Sequence, residues 1–253
     1  MKIIFFGTPY FIEPIINTLE DSFELVKVIR KPIEFDNKTL SEIEKLNPDL
    51  FVVAAYGKIL PDKLLEIPKL GGINVHPSLL PKYRGPSPIQ NAILNGDEKT
   101  GVTIIKMDEQ MDHGPILKQI EDTIQPTDTF QALAERLFQK SVELLKDVIS
   151  DYNDIKPTTQ DESKVTFTKL ITKQDGLIDP ENPPEKEKFL KMIRAFYPWP
   201  GVWIKYGLSG KEVVIKLLPE ERIQVEGKKP MSFKDFKNGY ENGEEFLKKL
   251  DLN

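Results

Sequence analysis

Short apolar segments alternate with amphipathic stretches through the first half of the chain. Apolar runs occupy residues 2–6, 25–29, 50–56 and 73–76. Between them, residues 11–19 and 40–46 have apolar positions at the three- and four-residue spacing of a helix face. Buried strands that alternate with amphipathic helices are typical of a parallel sheet covered by helices. The pattern therefore predicts an α/β fold with a parallel-rich, Rossmann-like sheet.

The pattern changes after residue 150. A long helix predicted over residues 128–149 is followed by a polar stretch interrupted by four prolines, at positions 157, 180, 183 and 184. A helix is then predicted over 185–196, and strands over 202–206 and 212–218. We therefore predict an α/β domain over residues 1–160, a linker over 161–184, and a small, mainly β domain over 185–253.

Composition excludes several classes of protein. The chain of 253 residues has no cysteine and only two histidines, which excludes a disulfide scaffold and makes a His/Cys metal site hard to build. The first apolar run is far shorter than a signal-peptide core or a membrane span. A formal net charge of −5 gives no general attraction to polyanions. We expect a cytoplasmic protein with no metal, no membrane partner and no DNA partner.

A strand, a glycine and a helix at the N-terminus suggest a dinucleotide-binding protein, but the glycine pattern argues against it. That fingerprint requires three glycines, so that the backbone can approach a pyrophosphate closely. Gly7 stands alone here and is followed by Thr8 and Pro9. The simpler interpretation is that Gly7 forms a tight turn after the first strand.

Polar residues mark the end of the fourth predicted strand. Asn74 and His76 are two residues apart, so their side chains point to the same face of that strand. Strand ends of open α/β sheets are where ligands bind. Asp112 lies in a later glycine-bearing loop, and an amide, an imidazole and a carboxylate together suit acyl transfer to an amine. Taken alone, however, His76 could equally be an ordinary hydrogen-bonded histidine.

Several segments together resemble the folate-dependent formyltransferases, specifically the methionyl-tRNA formyltransferase family. These segments are Phe6-Gly7-Thr8-Pro9, residues 53–61, the Asn74–Pro81 segment Asn-Val-His-Pro-Ser-Leu-Leu-Pro, residues 83–90, Met111-Asp112-His113-Gly114 and residues 194–201. The spacing of Asn-x-His-x-Ser-Leu-Leu-Pro before Met-Asp-x-Gly is specific. The resemblance covers both predicted domains.

The resemblance implies a role for each matched position. Asn74 would bind the formyl oxygen, His76 would handle protons, and Asp112 would orient His76. The co-substrate would be 10-formyltetrahydrofolate, and the acceptor would be the methionyl amine of initiator Met-tRNA, in translation initiation. The implied folate pocket consists of Tyr56, Gly57, Ile59, Leu60, Ser78, Leu79, Leu80 and Pro81. The candidate tRNA contacts are Arg30, Lys31, Lys82, Arg84 and Lys169, and His113 is interpreted as a solvated or structural loop residue.

The sequence also departs from that family. The long basic loop after the second strand is absent, a lysine expected at position 170 is a leucine, and the C-terminal domain resembles a shortened oligonucleotide-binding barrel. We therefore predict a shortened, monomeric methionyl-tRNA formyltransferase. Two alternatives stay open: a sugar-nucleotide N-formyltransferase, which shares the folate site, and a non-catalytic protein that binds folate or RNA.

Overall fold

The computed structural model describes residues 1–208 and 210–252, and the chain divides into two compact units. The first unit comprises residues 1–88, 98–123 and 134–169. The second comprises residues 89–97, residues 124–133 and the chain from Leu170 onward. The units are thus interleaved along the chain, whereas the domains predicted from the sequence are contiguous. The contiguous limits stay a prediction.

A six-stranded sheet forms the centre of the first unit. Its strands are β1 (Lys2–Phe6), β2 (Glu24–Ile29), β3 (Leu50–Val53), β4 (Gly72–His76), β5 (Lys99–Lys106) and β6 (Ile116–Thr123). They lie in the order β2-β1-β3-β4-β5-β6. The first four in this order are parallel, whereas β5 and β6 are each antiparallel to their neighbours. The predicted parallel-rich, Rossmann-like sheet is confirmed.

Four helices lie between these strands along the chain, and a fifth follows the last strand. They are α1 (Glu13–Ser22), α2 (Asn37–Glu44), α3 (Asp62–Leu65), α4 (Pro88–Asn95) and α5 (Phe130–Ser150), with a 3-10 turn over Tyr10–Ile12 before α1. Helix α1 starts later than predicted because Pro14 occupies its first turn, where a missing N–H is tolerated. Its buried residues Ile15, Ile16 and Leu19 form the apolar face that the sequence predicts.

The core of the first unit lies around strands β1 and β3. All four residues of β3 are buried, as are the last four of β1. The Phe6 ring meets the rings of Phe51 and Tyr56 edge-on, with centroids 5.1 and 5.4 Å apart. Each such buried side chain contributes about 1.5–3 kcal/mol of transfer free energy. The central strands therefore provide a rigid base for the loops at their carboxyl ends.

The second unit contains a four-stranded antiparallel sheet. Its strands are β7 (Val202–Leu208), β8 (Lys211–Leu218), β9 (Arg222–Val225) and β10 (Met231–Ser232), in the order β10-β9-β8-β7. Helix α6 (Lys186–Ala195) precedes the sheet, and α7 (Phe233–Gly239) and α8 (Gly243–Lys249) follow it. The prediction of a small, mainly β C-terminal part is confirmed. No helix among residues 1–208 and 210–252 is long and apolar enough to cross a membrane.

Candidate active site

Strand β4 carries two candidate site residues and lies where the sheet changes from parallel to antiparallel pairing. It pairs in parallel with β3 on one side and antiparallel with β5 on the other. Asn74 and His76 lie at alternate positions of β4, so both side chains emerge on one face. Asn74 is half-buried and His76 is 3% exposed. The i and i+2 spacing in the sequence thus corresponds to one shared site.

One hydrogen bond of His76 indicates which ring nitrogen carries the hydrogen. Nε2 lies 2.9 Å from the backbone carbonyl oxygen of Tyr83. Because a carbonyl oxygen only accepts, we assign the hydrogen to Nε2. Nδ1 lies 3.5 Å from Oδ2 of Asp112. With the hydrogen on Nε2, the other ring nitrogen, Nδ1, lies on the side of the carboxylate.

Asp112 joins the site from the loop between β5 and β6. Its Oδ1 accepts a hydrogen bond of 3.0 Å from Nδ2 of Asn74, and its Oδ2 accepts one of 2.8 Å from the backbone N–H of Gly85. The Asp112 side chain is 12% exposed. The structure thus brings together Asn74, His76 and Asp112, the three residues that the sequence assigns to chemistry.

The backbone of the Asp112 loop has an unusual shape. Asp112 has φ of 51°, in the left-handed region that is unfavourable for residues other than glycine. Gly114 follows at a point where a Cβ would lie 1.8 Å from the backbone oxygen of Lys106. Glycine is therefore required at position 114, and the Asp112 conformation must be maintained by its surroundings.

Arg84 is buried within this unit, although the sequence suggests a surface cation. Its side chain is 4% exposed. Nε and Nη2 donate to Oε1 of Gln160 at 3.1 and 2.9 Å, and Nη1 and Nη2 donate to the Glu162 carboxylate at 3.3 and 2.6 Å. The hydrogen bond from Arg84 lowers the pKa of Glu162. Arg84 is thus a poor candidate for contact with a phosphate in solvent.

Gln160 is a site residue that the sequence analysis did not find. It is 5% exposed, and its amide N–H groups donate to the backbone oxygens of Asp112 and Gly114, both at 2.8 Å. Nothing in the local sequence indicates this role, because its partners lie 46 and 48 residues away. The loop geometry is needed to recognise it.

The other candidate cations have different environments. Lys31, Lys82 and Lys169 are exposed. Arg30 is also exposed but is hydrogen-bonded by both terminal nitrogens to the carboxylate of Glu13, which partly neutralises it.

Four of the eight predicted folate-lining residues are buried in the first unit. The side chains of Tyr56, Leu60, Ser78 and Leu80 are at most 3% exposed. By contrast, Ile59 is 66% exposed. It borders an open depression of about 390 Å³ that is also lined by Glu34, Phe35, Asp36, Lys58 and Pro61.

Side chains of strands β5 and β6 form hydrogen bonds with the backbone of the loop after strand β4. Thr103 donates to the backbone oxygen of Ser78 at 2.6 Å and accepts from the backbone N–H of Leu80 at 3.1 Å. Gln119 donates to the backbone oxygen of Leu80 at 3.0 Å. The predicted pocket residues 78–81 thus form an ordered loop whose backbone is bonded to neighbouring protein groups, with Leu79 and Pro81 partly exposed.

His113 lies beside the site without joining it. Its Nδ1 is 2.7 Å from Oδ2 of Asp108, and Nε2 is 3.8 Å from Oε1 of Glu162. Asp108 also accepts from the backbone N–H of Gln110. This pairing agrees with the interpretation of His113 as a structural loop residue. Among residues 1–208 and 210–252, no group of His, Cys, Asp and Glu could hold a metal ion.

Comparisons with known proteins agree with this geometry. Residues 22–149 match the family model described as formyl transferase. The chain is 46% identical over 168 residues to a methionyl-tRNA formyltransferase of Roseiflexus sp. (strain RS-1), with 66% of this chain and 51% of that protein covered. It is 31% identical over 316 aligned positions to a methionyl-tRNA formyltransferase of Caldicellulosiruptor saccharolyticus, with 100% and 99% covered.

The fold is also found in a solved sugar N-formyltransferase from Shewanella sp. FDAARGOS_354, with a TM-score of 0.69 and 22% identity over 87% of this chain and 98% of that one. At that identity the likeness concerns the fold alone. The chain spans about half the length of several curated relatives that it matches, 51–59%. The family match includes strand β4 and the Asp112 loop. The chain therefore belongs to the formyltransferase family that includes the methionyl-tRNA formyltransferases.

Proposed function

We propose that this chain transfers the formyl group of 10-formyltetrahydrofolate to the methionyl amine of initiator Met-tRNA. The observation that carries the proposal is the convergence of Asn74, His76 and Asp112, with Nδ2–Oδ1 and Nδ1–Oδ2 distances of 3.0 and 3.5 Å. The choice of acceptor rests on relatives that are named for this reaction. One of them is aligned over 99% of its length.

Asn74 is suited to stabilise negative charge on the formyl oxygen. One of its amide N–H groups donates to Asp112, and the second can donate to an oxygen in front of strand β4. When the amine nitrogen bonds to the formyl carbon, the carbonyl oxygen gains charge. A preorganised donor at such an oxyanion contributes roughly 3–4 kcal/mol in acyl transfer. Since Asp112 fixes the Asn74 amide, the donor does not have to reorient during the reaction.

His76 and Asp112 are suited to move the proton of the attacking amine. Nδ1 of the neutral His76 ring can accept that proton, and the resulting imidazolium lies against the Asp112 carboxylate. The proton then passes to the folate nitrogen as its bond to the formyl carbon breaks. The formyl group moves directly between two nitrogens, so no covalent intermediate with the protein is required.

The depression beside Ile59 is a suitable place for the folate. It combines apolar walls from Phe35 and Ile59 with the ammonium of Lys58, which pairs with Glu34 at 2.8 Å; such a mixture of apolar and charged groups is typical of small-molecule sites. The loops that follow β3 and β4 leave the same edge of the sheet, because these strands are parallel neighbours. Gly57 and the partly exposed Leu79 and Pro81 can supply further contacts at this edge.

Lys31, Lys82 and Lys169 form the proposed tRNA-contacting set. All three are exposed and belong to the first unit. Phosphate contacts by lysines supply affinity that is independent of sequence and sensitive to salt. Arg30 contributes less because of its Glu13 partner, and Arg84 is left out of the set because it is buried.

The test is direct product formation. The purified protein is mixed with 10-formyltetrahydrofolate and charged initiator Met-tRNA, with a panel of amino-sugar nucleotides in parallel, and products are identified by mass spectrometry. The expected result is formyl-Met-tRNA, which an Asn74→Ala variant forms at least about 100-fold more slowly. Product from an amino sugar only would move the function to sugar formylation. Binding of folate without any product would identify a non-catalytic protein.

A further inference from the structure

Arg84 and Gln160 form a buried pair whose hydrogen bonds reach both catalytic elements. The Gln160 amide uses all of its capacity: two N–H groups donate to backbone oxygens of the Asp112 loop, and Oε1 accepts two N–H groups of Arg84. This pattern fixes the amide orientation, because carbonyl oxygens only accept and a guanidinium only donates. Exchanging the amide oxygen and nitrogen would break four hydrogen bonds.

The same pair also fixes the segment that holds His76. The two neighbours of Arg84 in the chain contact the site: the Tyr83 carbonyl oxygen faces Nε2 of His76, and the Gly85 N–H donates to Asp112. Tyr83 and Gly85 have φ of 64° and 112°, so this segment has left-handed conformations on both sides of residue 84. Anchoring the Arg84 side chain therefore constrains contacts to both His76 and Asp112.

The need for such an anchor follows from the backbone of Asp112. A non-glycine residue at φ of 51° is strained, and it keeps this conformation only when its surroundings hold it there. Gln160 bonds the backbone oxygen of Asp112 itself and that of Gly114 two residues on. These bonds hold the turn from both ends. Without them, Asp112 is free to relax and to carry its carboxylate away from Nδ1 of His76.

We propose that Arg84 and Gln160 are positioning residues, which hold the Asp112 carboxylate against His76 and Asn74 without touching a substrate. The inference rests on the proposed function for its kinetic part. Gln160→Met keeps the length of the side chain but removes every hydrogen bond. Gln160→Glu still accepts from Arg84 but cannot donate to the two backbone oxygens, so it isolates the contacts with the Asp112 loop.

Kinetics should separate positioning from binding. Both variants should lower kcat by about 10–100-fold, whereas KM for folate and for tRNA changes by less than about threefold, because a misplaced catalytic group loses transition-state stabilisation only. Tyr152→Phe is the matched control. It removes a 2.7 Å hydrogen bond to the backbone oxygen of Leu70 in the same unit and should leave kcat unchanged.

A spectroscopic measurement tests the same inference without any substrate. The chain has only two histidines, so His113→Gln leaves His76 as the only imidazole. In that background, the ring nitrogen signals of His76 in a 1H–15N correlation spectrum should move in Gln160→Glu and in Gln160→Met. They should stay unchanged in Tyr152→Phe. If Gln160→Met does not fold, Gln160→Glu alone provides the comparison.

The outcomes are distinguishable. Unchanged His76 signals, or kcat within twofold of the parent in a folded Gln160→Glu variant, would overturn the positioning role. An inactive parent protein would overturn the proposed function instead, and the spectra would still decide whether Gln160 positions the Asp112 loop.

Discussion

The Asp112 carboxylate is the group whose replacement tests the proposed chemistry most directly. Asp112→Asn keeps the shape of the side chain but removes its charge and replaces one accepting oxygen with an N–H donor. The carboxylate now accepts from Asn74 and Gly85 and lies 3.5 Å from His76. In the variant, the new NH2 group must face at least one N–H group, which leaves a nearly buried donor unsatisfied.

The expected loss can be worked out from these contacts. A positioned proton-transfer system contributes about 10²- to 10⁴-fold to the rate, which equals about 2.7–5.5 kcal/mol of activation free energy. We expect Asp112→Asn to lower kcat by a factor in that range, because an imidazolium formed at His76 would face a neutral amide instead of a carboxylate. The free energy of unfolding should fall by less than about 3 kcal/mol, since removing the charge also removes its desolvation penalty.

The assay is single-turnover formyl transfer with saturating folate, combined with urea unfolding of each variant. Asp108→Asn is the matched control, because Asp108 lies in the same loop and faces His113 instead of His76. It should stay within about twofold of the parent rate. A folded Asp112→Asn protein with kcat within tenfold of the parent would refute the proposed role of the carboxylate.

Three further results are expected. Gly114→Ala should lower the free energy of unfolding by at least about 2 kcal/mol in urea, because its Cβ would meet a backbone oxygen at 1.8 Å; a loss below about 0.5 kcal/mol would show that the loop relaxes easily. For Asp122, burial raises the pKa, but hydrogen bonds from a lysine and an arginine of α5 lower it overall. The stabilisation that ionised Asp122 contributes is therefore fully present above the unfolded pKa of about 3.9 and is lost as pH falls through the lower folded pKa. We expect the free energy of unfolding of Asp122→Asn to fall less steeply than that of the parent as the pH is lowered. Identical acid limbs in both proteins would contradict this. Lys31→Ala with Lys82→Ala should weaken tRNA binding and reduce its salt slope by about one per lost phosphate contact, with kcat unchanged; an unaltered slope would exclude both lysines from the tRNA surface.

Hydrophobic periodicity was enough to predict the architecture. The residues of β1 and β4 were located within one position. For β1 this was possible because a buried strand appears as a nearly continuous apolar run. The shared face of Asn74 and His76 followed from the two-residue repeat of a strand. These features depend on neighbouring residues only, so a single sequence contains them.

The environment of Arg84 could not be predicted in this way. Its partners Gln160 and Glu162 lie 76 and 78 residues further along the chain, on either side of the predicted boundary between the first domain and the linker. A charged residue in a loop is usually solvated, and only its partners reveal that it is buried. The left-handed backbone conformation of Asp112 could not be predicted from the sequence either, because it depends on contacts that form only in the folded protein.

The interleaving of the two units limits how this protein can be dissected genetically. The chain passes from one unit to the other after residues 88, 97, 123, 133 and 169. A fragment cut at residue 160 would lack Thr166 and Thr168, whose hydroxyls accept from the backbone N–H groups of Tyr83 and Ser87. A fragment ending at Lys169 would keep them, but it would also contain two short stretches that belong to the other unit. No single stop codon can therefore produce an isolated catalytic module, and a minimal version would need both internal stretches redesigned as loops.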